Sequence, residues 1–246
     1  MTAKTRLDQL LVERGLAPSR EKAKALILAG EVLVNDRPGE KAGAPTAPDA
    51  ELRLRHAAPA YVSRGGDKLA GALDAFGFDP AGTSFLDIGQ STGGFTDLLL
   101  QRGAAFVAGV DVGYGQLAMK LRRDPRVLCV ERANARELPA DLFGGRLFDG
   151  AVIDVSFISL RLVLPAALPH VRPGGAIVAL VKPQFEAGRE HVGKGGVVRD
   201  PEAIAQCVDD IAAFARTLGL MVRGREPSPL AGPKGNREVF LFLEKG

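Results

Sequence analysis

From residue 84 onward the chain repeats one pattern: a short apolar run, a charged or polar residue at its end, then a stretch of helical periodicity. The apolar runs are 85–88, 106–110, 127–130, 148–154, 176–182, 221–225 and 238–243. Each is strand-sized, and strands that alternate with helices form a doubly wound, mostly parallel α/β sheet. No helical periodicity separates the last two runs, which are therefore expected to pair as an antiparallel hairpin closing a sheet edge. With 246 residues and 46% hydrophobic content, the chain can bury one large core and still supply a small satellite domain.

Residues 5–54 depart from that pattern. Leu7, Leu10 and Leu11 recur at helical spacing, with Gly15 placed to end the helix. Ser19 is placed to cap a second helix carrying Ala23, Leu26 and Ile27, closed by Gly30. Val32 and Val34 alternate into a turn at Asn35 and Asp36, and Leu52 and Leu54 supply a later strand; residues 38–50, rich in Gly, Pro and Ala, read as loop. Residues 56–62, with Pro59, read as a linker, which places the domain boundary at 58/59. The apolar spacing pushes Arg6, Arg20, Lys22 and Lys24 onto a polar face. With Glu13 and Glu21 nearby, that face is either a solvated helix surface or a seat for phosphates.

Charge alone decides little. A formal net charge of +3 and a pI near 9.0 are compatible with a polyanionic partner and equally common without one. The two cysteines, Cys129 and Cys207, are too few for a zinc cage or a disulfide framework and read as buried thiols; no metal is expected. His56, His170 and His191 show no ligand spacing. Charges at Lys4, Arg6, Asp8 and Glu13 break any secretory leader, and no run approaches the roughly 18 apolar residues of a spanning helix. A cytoplasmic protein without membrane association or an obligate protein partner is expected.

In an open parallel sheet, ligands sit beyond the carboxyl ends of the strands. The first such loop is DIGQSTGGF, whose Asp87, Gly89, Ser91, Thr92, Gly93, Gly94 and Phe95 are candidate cofactor contacts. Its glycines admit positive φ and close backbone approach, and a strand-end carboxylate can hold amines or hydroxyls, which suits S-adenosylmethionine. The spacing is not the GxGxxG of a nicotinamide site. A looser GxGxxA, formed by Gly113, Gly115 and Ala118, follows the second strand rather than the first. Asp111 ends that second strand, either binding a cofactor ribose or closing a turn; Asn134 either reads an adenine edge or makes a plain turn.

Three more strand ends carry ionisable groups: Asp154 ends AVID, Lys182 ends AIVALVK, and Glu238 starts EVFLFL. Lys68, in SRGGDKL, stands ahead of the first helix of this region. Singly, each could be a solvated terminus or half of a structural ion pair; together they mark one crevice. The Gly-rich segment 186–200, with Arg189 and Lys194, reads as a mobile substrate lid or an idle surface loop.

The stretch RLDQLLVERGLAPSREKAKALILAGEVLVN resembles the S4 RNA-binding module, which implies structured RNA as a partner of Arg6, Arg20, Lys22 and Lys24. Lys68, Asp154, Lys182 and Glu238 resemble the lysine, aspartate, lysine and glutamate tetrad of FtsJ-type ribose 2′-O-methyltransferases. The series SRGGDKL, DIGQSTGGFTD, IDVSFISL, VKPQFE and GNREVFLFL is similar to the TlyA family, in which an S4 module precedes that catalytic domain. The resemblance spans almost the whole chain. It implies a seven-stranded S-adenosylmethionine-dependent methyltransferase fold with a small N-terminal α+β domain, 1–58 and 59–246. It also implies methylation of a cytidine ribose in ribosomal RNA or ribosomal subunits, with Arg64, Arg189 and Lys194 as further RNA contacts. In the chemistry so implied, the ribose 2′-oxygen attacks the sulfonium methyl. Lys182 steadies the alkoxide or acts as base, Asp154 orients Lys182, and Lys68 and Glu238 complete the network. Gln90 departs from the pattern, which has a small residue there; so large a side chain is expected to narrow the cofactor pocket. Two other readings are carried: a membrane-damaging haemolysin, after a historical name of the family, and an RNA-binding scaffold without activity.

Overall fold

A computed structural model of the protein describes residues 4–55 and 60–246. The chain divides into two compact units, Met1–Ala60 and Tyr61–Gly246. Residues 56–59, with His56 and the 58/59 boundary, lie outside the described residues.

In the first unit, β1 (Thr5–Arg6) leads into α1 (Leu7–Glu13), followed by α2 (Arg20–Leu28), β2 (Val32–Val34), β3 (Arg37–Pro38), β4 (Pro45–Thr46) and β5 (Leu52–Leu54). Ser19 Oγ accepts from Lys22 N at 3.2 Å, satisfying one of the free N–H groups of the α2 N-terminus. Leu7, Leu11, Ala23, Ile27 and Val32 form the core. Three strands pair in the order β3-β2-β5, while β1 pairs β4, so part of the stretch expected as loop is short strand. Buried Asp8 takes Arg6 at 3.0 Å and Arg20 at 3.2 Å. Chiefly the Arg6 hydrogen bond holds the Asp8 carboxyl down at about 2.

The second unit runs α3 (Arg64–Phe76), β6 (Ser84–Ile88), α4 (Gly94–Gln101), β7 (Phe106–Asp111), α5 (Met119–Arg122), β8 (Val127–Glu131) and β9 (Phe148–Ile153). It continues with α6 (Leu160–Ala167), β10 (Val171–Val181), α7 (Pro183–Glu186), α8 (Pro201–Thr217), β11 (Leu220–Pro227) and β12 (Val239–Lys245). The seven strands lie in the order β11-β12-β10-β9-β6-β7-β8. All run parallel except β12, which is antiparallel to both of its neighbours. The expected hairpin exists, but its second strand is inserted between β11 and β10, so β11 is the edge.

A strand covered on both faces needs apolar residues on both, and β10 shows the consequence. Ile177, Ala179 and Val181 join one core with Ile88, Ile153, Val208 and Ile211; Val178 and Leu180 join the other with Leu73, Phe85, Leu98 and Phe240. Each such burial contributes roughly 1.5–3 kcal/mol, which fixes strand register and hence what the strand ends carry. Cys207 is buried, as expected, whereas Cys129 on β8 is only half-buried because it lies on an edge strand.

Candidate active site

The register of the sheet brings the strand-end charges together. Asp154 follows β9 directly, and its N–H donates to Ile88 O at 2.9 Å, so the ends of β6 and β9 abut. Lys182 follows β10. Because β12 runs the opposite way, with Val239 opposite Val181, its first flanking residue, Glu238, falls beside Lys182 at the same rim. Lys68, expected ahead of this helix, lies within its first turns because α3 already starts at Arg64, and it reaches the rim from there; the α3 side chains at 68, 69, 72 and 73 are buried.

All four line one cavity of about 600 Å³, within the ordinary range for small-molecule sites. They form two ion pairs. Lys68 Nζ donates to Glu238 Oε2 at 2.5 Å, both side chains buried. Lys182 Nζ lies 2.6 Å from Asp154 Oδ1 and donates to Ser156 Oγ at 2.9 Å. An ammonium with a third N–H left over, held by two neighbours at the wall of a cavity, is a fixed positive charge available to a substrate oxygen.

The loop after β6 forms another wall, through Gly89, Gln90, Ser91, Thr92, Gly94 and Phe95. Several of its glycines answer to protein neighbours. A Cβ on Gly89, at φ +87°, would sit 2.4 Å from Asp154 O, and one on Gly94 would sit 2.3 Å from Ser63 Oγ and 2.9 Å from Gly66 N. Gly93, at φ +93°, lies against Leu117 and Leu121 and behind the wall. Gln90 does not stand in the cavity as a free obstacle: it is 97% buried, and its amide lies flat over Gly109, where any Cβ would fall 2.0 Å from Gln90 Cδ.

Asp87 lies beneath this loop. Its Oδ2 accepts from Thr96 Oγ1 at 2.6 Å and Thr96 N at 3.1 Å; its Oδ1 is buried without a hydrogen-bond partner. Burial pushes the Asp87 carboxyl up to about 7; the Thr96 hydroxyl opposes the shift, and the charges of Asp154 and Asp111 add to it. Asp111 is tied at both oxygens, Oδ2 to Ser91 N at 2.8 Å and Oδ1 to Gly113 N at 2.7 Å, so it clamps two loops together. Three carboxylates at neighbouring strand ends, with Asp87 Oδ1 unpaired and Asp154 Oδ1 met only by the Lys182 ammonium, suit a cationic ligand such as one with a sulfonium and an ammonium.

The remaining candidates are dispersed. Asn134 is exposed and accepts from Arg136 N at 3.1 Å, the plain-turn arrangement. Gly113, Gly115 and Ala118 line no part of the cavity. Arg64 is exposed at its mouth; Arg189 and Lys194 are exposed away from its lining. Lys22 and Lys24 are exposed on α2, whereas Arg6 and Arg20 share Asp8. The Gly-rich segment 186–200 is tied down at several points. Glu186 accepts from Ser159 Oγ at 2.6 Å, and buried Asn236 accepts from Val198 N at 3.0 Å and donates to Gly196 O at 2.9 Å. Val198 packs with Ala203 and Ile204 in a small core of its own.

Sequence reasoning missed Ser63, Ser156, Phe157, Gln184, Phe185, Lys234 and Asn236, all of which line the cavity. Ser156, Phe157, Gln184 and Phe185 follow Asp154 or Lys182 within three residues, so the strand-end rule pointed at them. Phe157 is 87% exposed, takes φ +64°, and has its ring 5.1 Å from that of Phe185. An exposed aromatic residue in a backbone conformation that bulky side chains avoid marks a site where strain is tolerated for function.

Residues 61–245 match the FtsJ-like methyltransferase family and residues 5–45 the S4 domain. The chain is 50% identical over 244 residues to the 16S/23S rRNA (cytidine-2'-O)-methyltransferase TlyA of Mycobacterium tuberculosis, covering 99% of this chain and 91% of that one. It is 39% identical over 239 residues to Hemolysin A of Brachyspira hyodysenteriae, with 97% and 99% covered. A solved structure of a hemolysin candidate from Streptococcus thermophilus is 45% identical and superposes with a TM-score of 0.75, over 100% of this chain and 90% of that one.

Proposed function

Since this chain belongs to the FtsJ-like methyltransferase family and carries an S4 domain ahead of it, we propose that it methylates the 2′-hydroxyl of a cytidine ribose in ribosomal RNA, with S-adenosylmethionine as donor. One observation carries the reading: four charged side chains from four separate elements meet as two ion pairs around a single cavity. The named activity of the Mycobacterium tuberculosis relative, 50% identical over nearly the full length, supports the substrate.

The donor, when bound, supplies a methyl on a positively charged sulfur, a reactive group with a good leaving group. The protein's part is to place and polarise a poor nucleophile. Lys182 Nζ, held by Asp154 and Ser156, directs positive charge at the ribose oxygen. It stabilises the negative charge that develops there as the oxygen–methyl bond would form, the sulfur–methyl bond would break and the hydroxyl proton would pass to solvent water. Asp154 fixes the lysine head. Lys68 and Glu238, paired and buried beside Lys182 at the same rim, supply a second rigid dipole without adding net charge. Asp87, with Asp111 and Asp154, favours the cationic donor by its field. Arg64 and Lys234 at the mouth meet phosphates, and exposed Phe157 offers a face on which an unpaired base stacks. In the first unit, Lys22 and Lys24 meet the RNA backbone, and Arg6 and Arg20 do so while anchored to Asp8.

A protein that works on ribosomal RNA would do so in the cytoplasm, and that is the location this reading proposes. Among the described residues no helix is long and apolar enough to cross a membrane. The name of the Brachyspira relative leaves a membrane-damaging activity as the rival, and a scaffold role requires an inert cavity. The experiment is methyl transfer from labelled S-adenosylmethionine to ribosomal subunits, with the product mapped as a ribose 2′-O-methyl. Lys182→Ala should lower the rate by at least about a hundredfold, the lower end for general acid–base and electrostatic groups, with donor binding retained. Turnover near normal in that variant rejects the role; leakage of liposomes without methyl incorporation by the unmodified protein rejects the whole reading.

A further inference from the structure

Gln90 shapes its loop through its backbone, which donates to Val110 O at 3.2 Å and accepts from Gly93 N at 2.8 Å, and neither bond needs its side chain. The space over Gly109 accepts an amide only because residue 109 has no side chain, so the two positions fit each other. Gln90 is 97% buried, yet its Oε1 has no hydrogen-bond partner, while its Nε2 donates to Thr96 Oγ1 at 3.0 Å. A buried polar group left half-satisfied costs stability, on the order of 1–3 kcal/mol. Such a group persists where the bond it does make serves a purpose.

That purpose follows from counting protons. Thr96 Oγ1 carries one hydrogen and bonds both Gln90 Nε2 and Asp87 Oδ2. The amide nitrogen can only donate, so it occupies a lone pair of the hydroxyl, and the threonine proton must go to Asp87. The chain of bonds therefore has a direction, from Gln90 through Thr96 to the carboxylate, and chains of this kind strengthen one another. Without the amide, the hydroxyl is free to turn to the carbonyls three and four positions back, those of Gly93 and Thr92 at the start of α4, as Thr does in helices. Asp87 would then lose one of its two donors.

We propose that Gln90 is a positioning residue for the donor site: its amide commits the Thr96 proton to Asp87 and so keeps that buried carboxylate charged beneath the loop that holds a cationic ligand. The proposal rests on the reading of the cavity as a methyl-donor site. The groups facing Asp87 are Thr96 from α4, Asp111 at the end of β7, and Asp154 at the end of β9 with its partner Lys182; Cys129 on β8 senses the Asp87 charge. None of the flanking acids helps Asp87 to ionise, and burial opposes it, so the Thr96 donors are the main opposing influence.

The test is calorimetric binding of S-adenosylhomocysteine to the full chain between about pH 5.5 and about pH 7.5, where the ligand ammonium stays charged. Wild type should bind more tightly as pH rises and Asp87 ionises. Gln90→Met keeps the volume over Gly109 but cannot donate; it should weaken binding near pH 7 about fivefold to tenfold, the size of one hydrogen bond, and move the midpoint of the pH curve upward. Thr96→Val should reproduce that shift, and adding Gln90→Met to it should change nothing more, because both act through one bond. A Gln90→Met curve parallel to wild type, or unchanged from it, overturns the proposal, since space-filling has no pH signature. Absence of binding by wild type at every pH overturns the donor-site reading itself, and this proposal with it.

Discussion

Replacing Asp87 with asparagine keeps the side chain's shape and an oxygen for Thr96, but removes a charge the fold holds at a cost. In the folded protein this carboxyl sits at about 7, against an ordinary 3.8, with burial as the main cause. A carboxyl whose pKa is higher folded than unfolded binds its proton more tightly in the folded state. Stability is therefore fully present below about pH 4 and declines as pH rises toward 7. At about 1.4 kcal/mol per unit, the roughly two units between pH 5 and pH 7 correspond to a loss of about 3 kcal/mol, levelling off above pH 7. An asparagine at this position has nothing to titrate. Urea denaturation at about pH 5 and about pH 8 should thus show Asp87→Asn gaining roughly 2–3 kcal/mol on wild type between the two. The same variant should bind S-adenosylhomocysteine less well, which is why a destabilising carboxylate is kept. Equal pH slopes for the two proteins would refute the argument, because they would mean that Asp87 ionises freely in the folded state.

Lys22→Glu with Lys24→Glu should weaken RNA binding at least tenfold and flatten its salt dependence by about two phosphate contacts, as read by filter binding at several salt concentrations; an unchanged slope removes these lysines from the interface. Phe157→Ala should lower kcat/KM for ribosomal RNA by about tenfold or more through loss of base stacking, while calorimetry finds S-adenosylhomocysteine binding unaltered. Gly94→Ala puts a Cβ 2.9 Å from Gly66 N, so α3 and α4 must separate; a loss of about 1–3 kcal/mol in urea denaturation is expected, and no loss would show that the helices yield freely.

Much of the site was legible because a parallel sheet converts chain order into position. Asp154 and Lys182 end parallel strands, so their sharing a rim needed no knowledge of contacts. Glu238 precedes its strand and would lie at the far rim if β12 were parallel; the expected hairpin allowed its reversal, but the insertion of β12 beside β10 was not visible in the pattern. The cavity wall at Ser156, Phe157 and Phe185 lies within reach of the same rule, but those residues carry no charge to mark them in the pattern.

The sequence by itself determined which stretches become strands and helices, which faces are buried, and which charges stand at strand ends. Those properties depend on neighbours a few positions apart, and local periodicity records them. Tertiary structure decided which distant groups touch and why residues 89, 94 and 109 are glycines. Lys68 meets Glu238 across 170 positions of chain, Lys182 takes Ser156 from past the end of the next strand over, and Gln90 finds its room over Gly109. Such pairings depend on atoms brought together by the packing of whole elements, and no short window of sequence contains both partners.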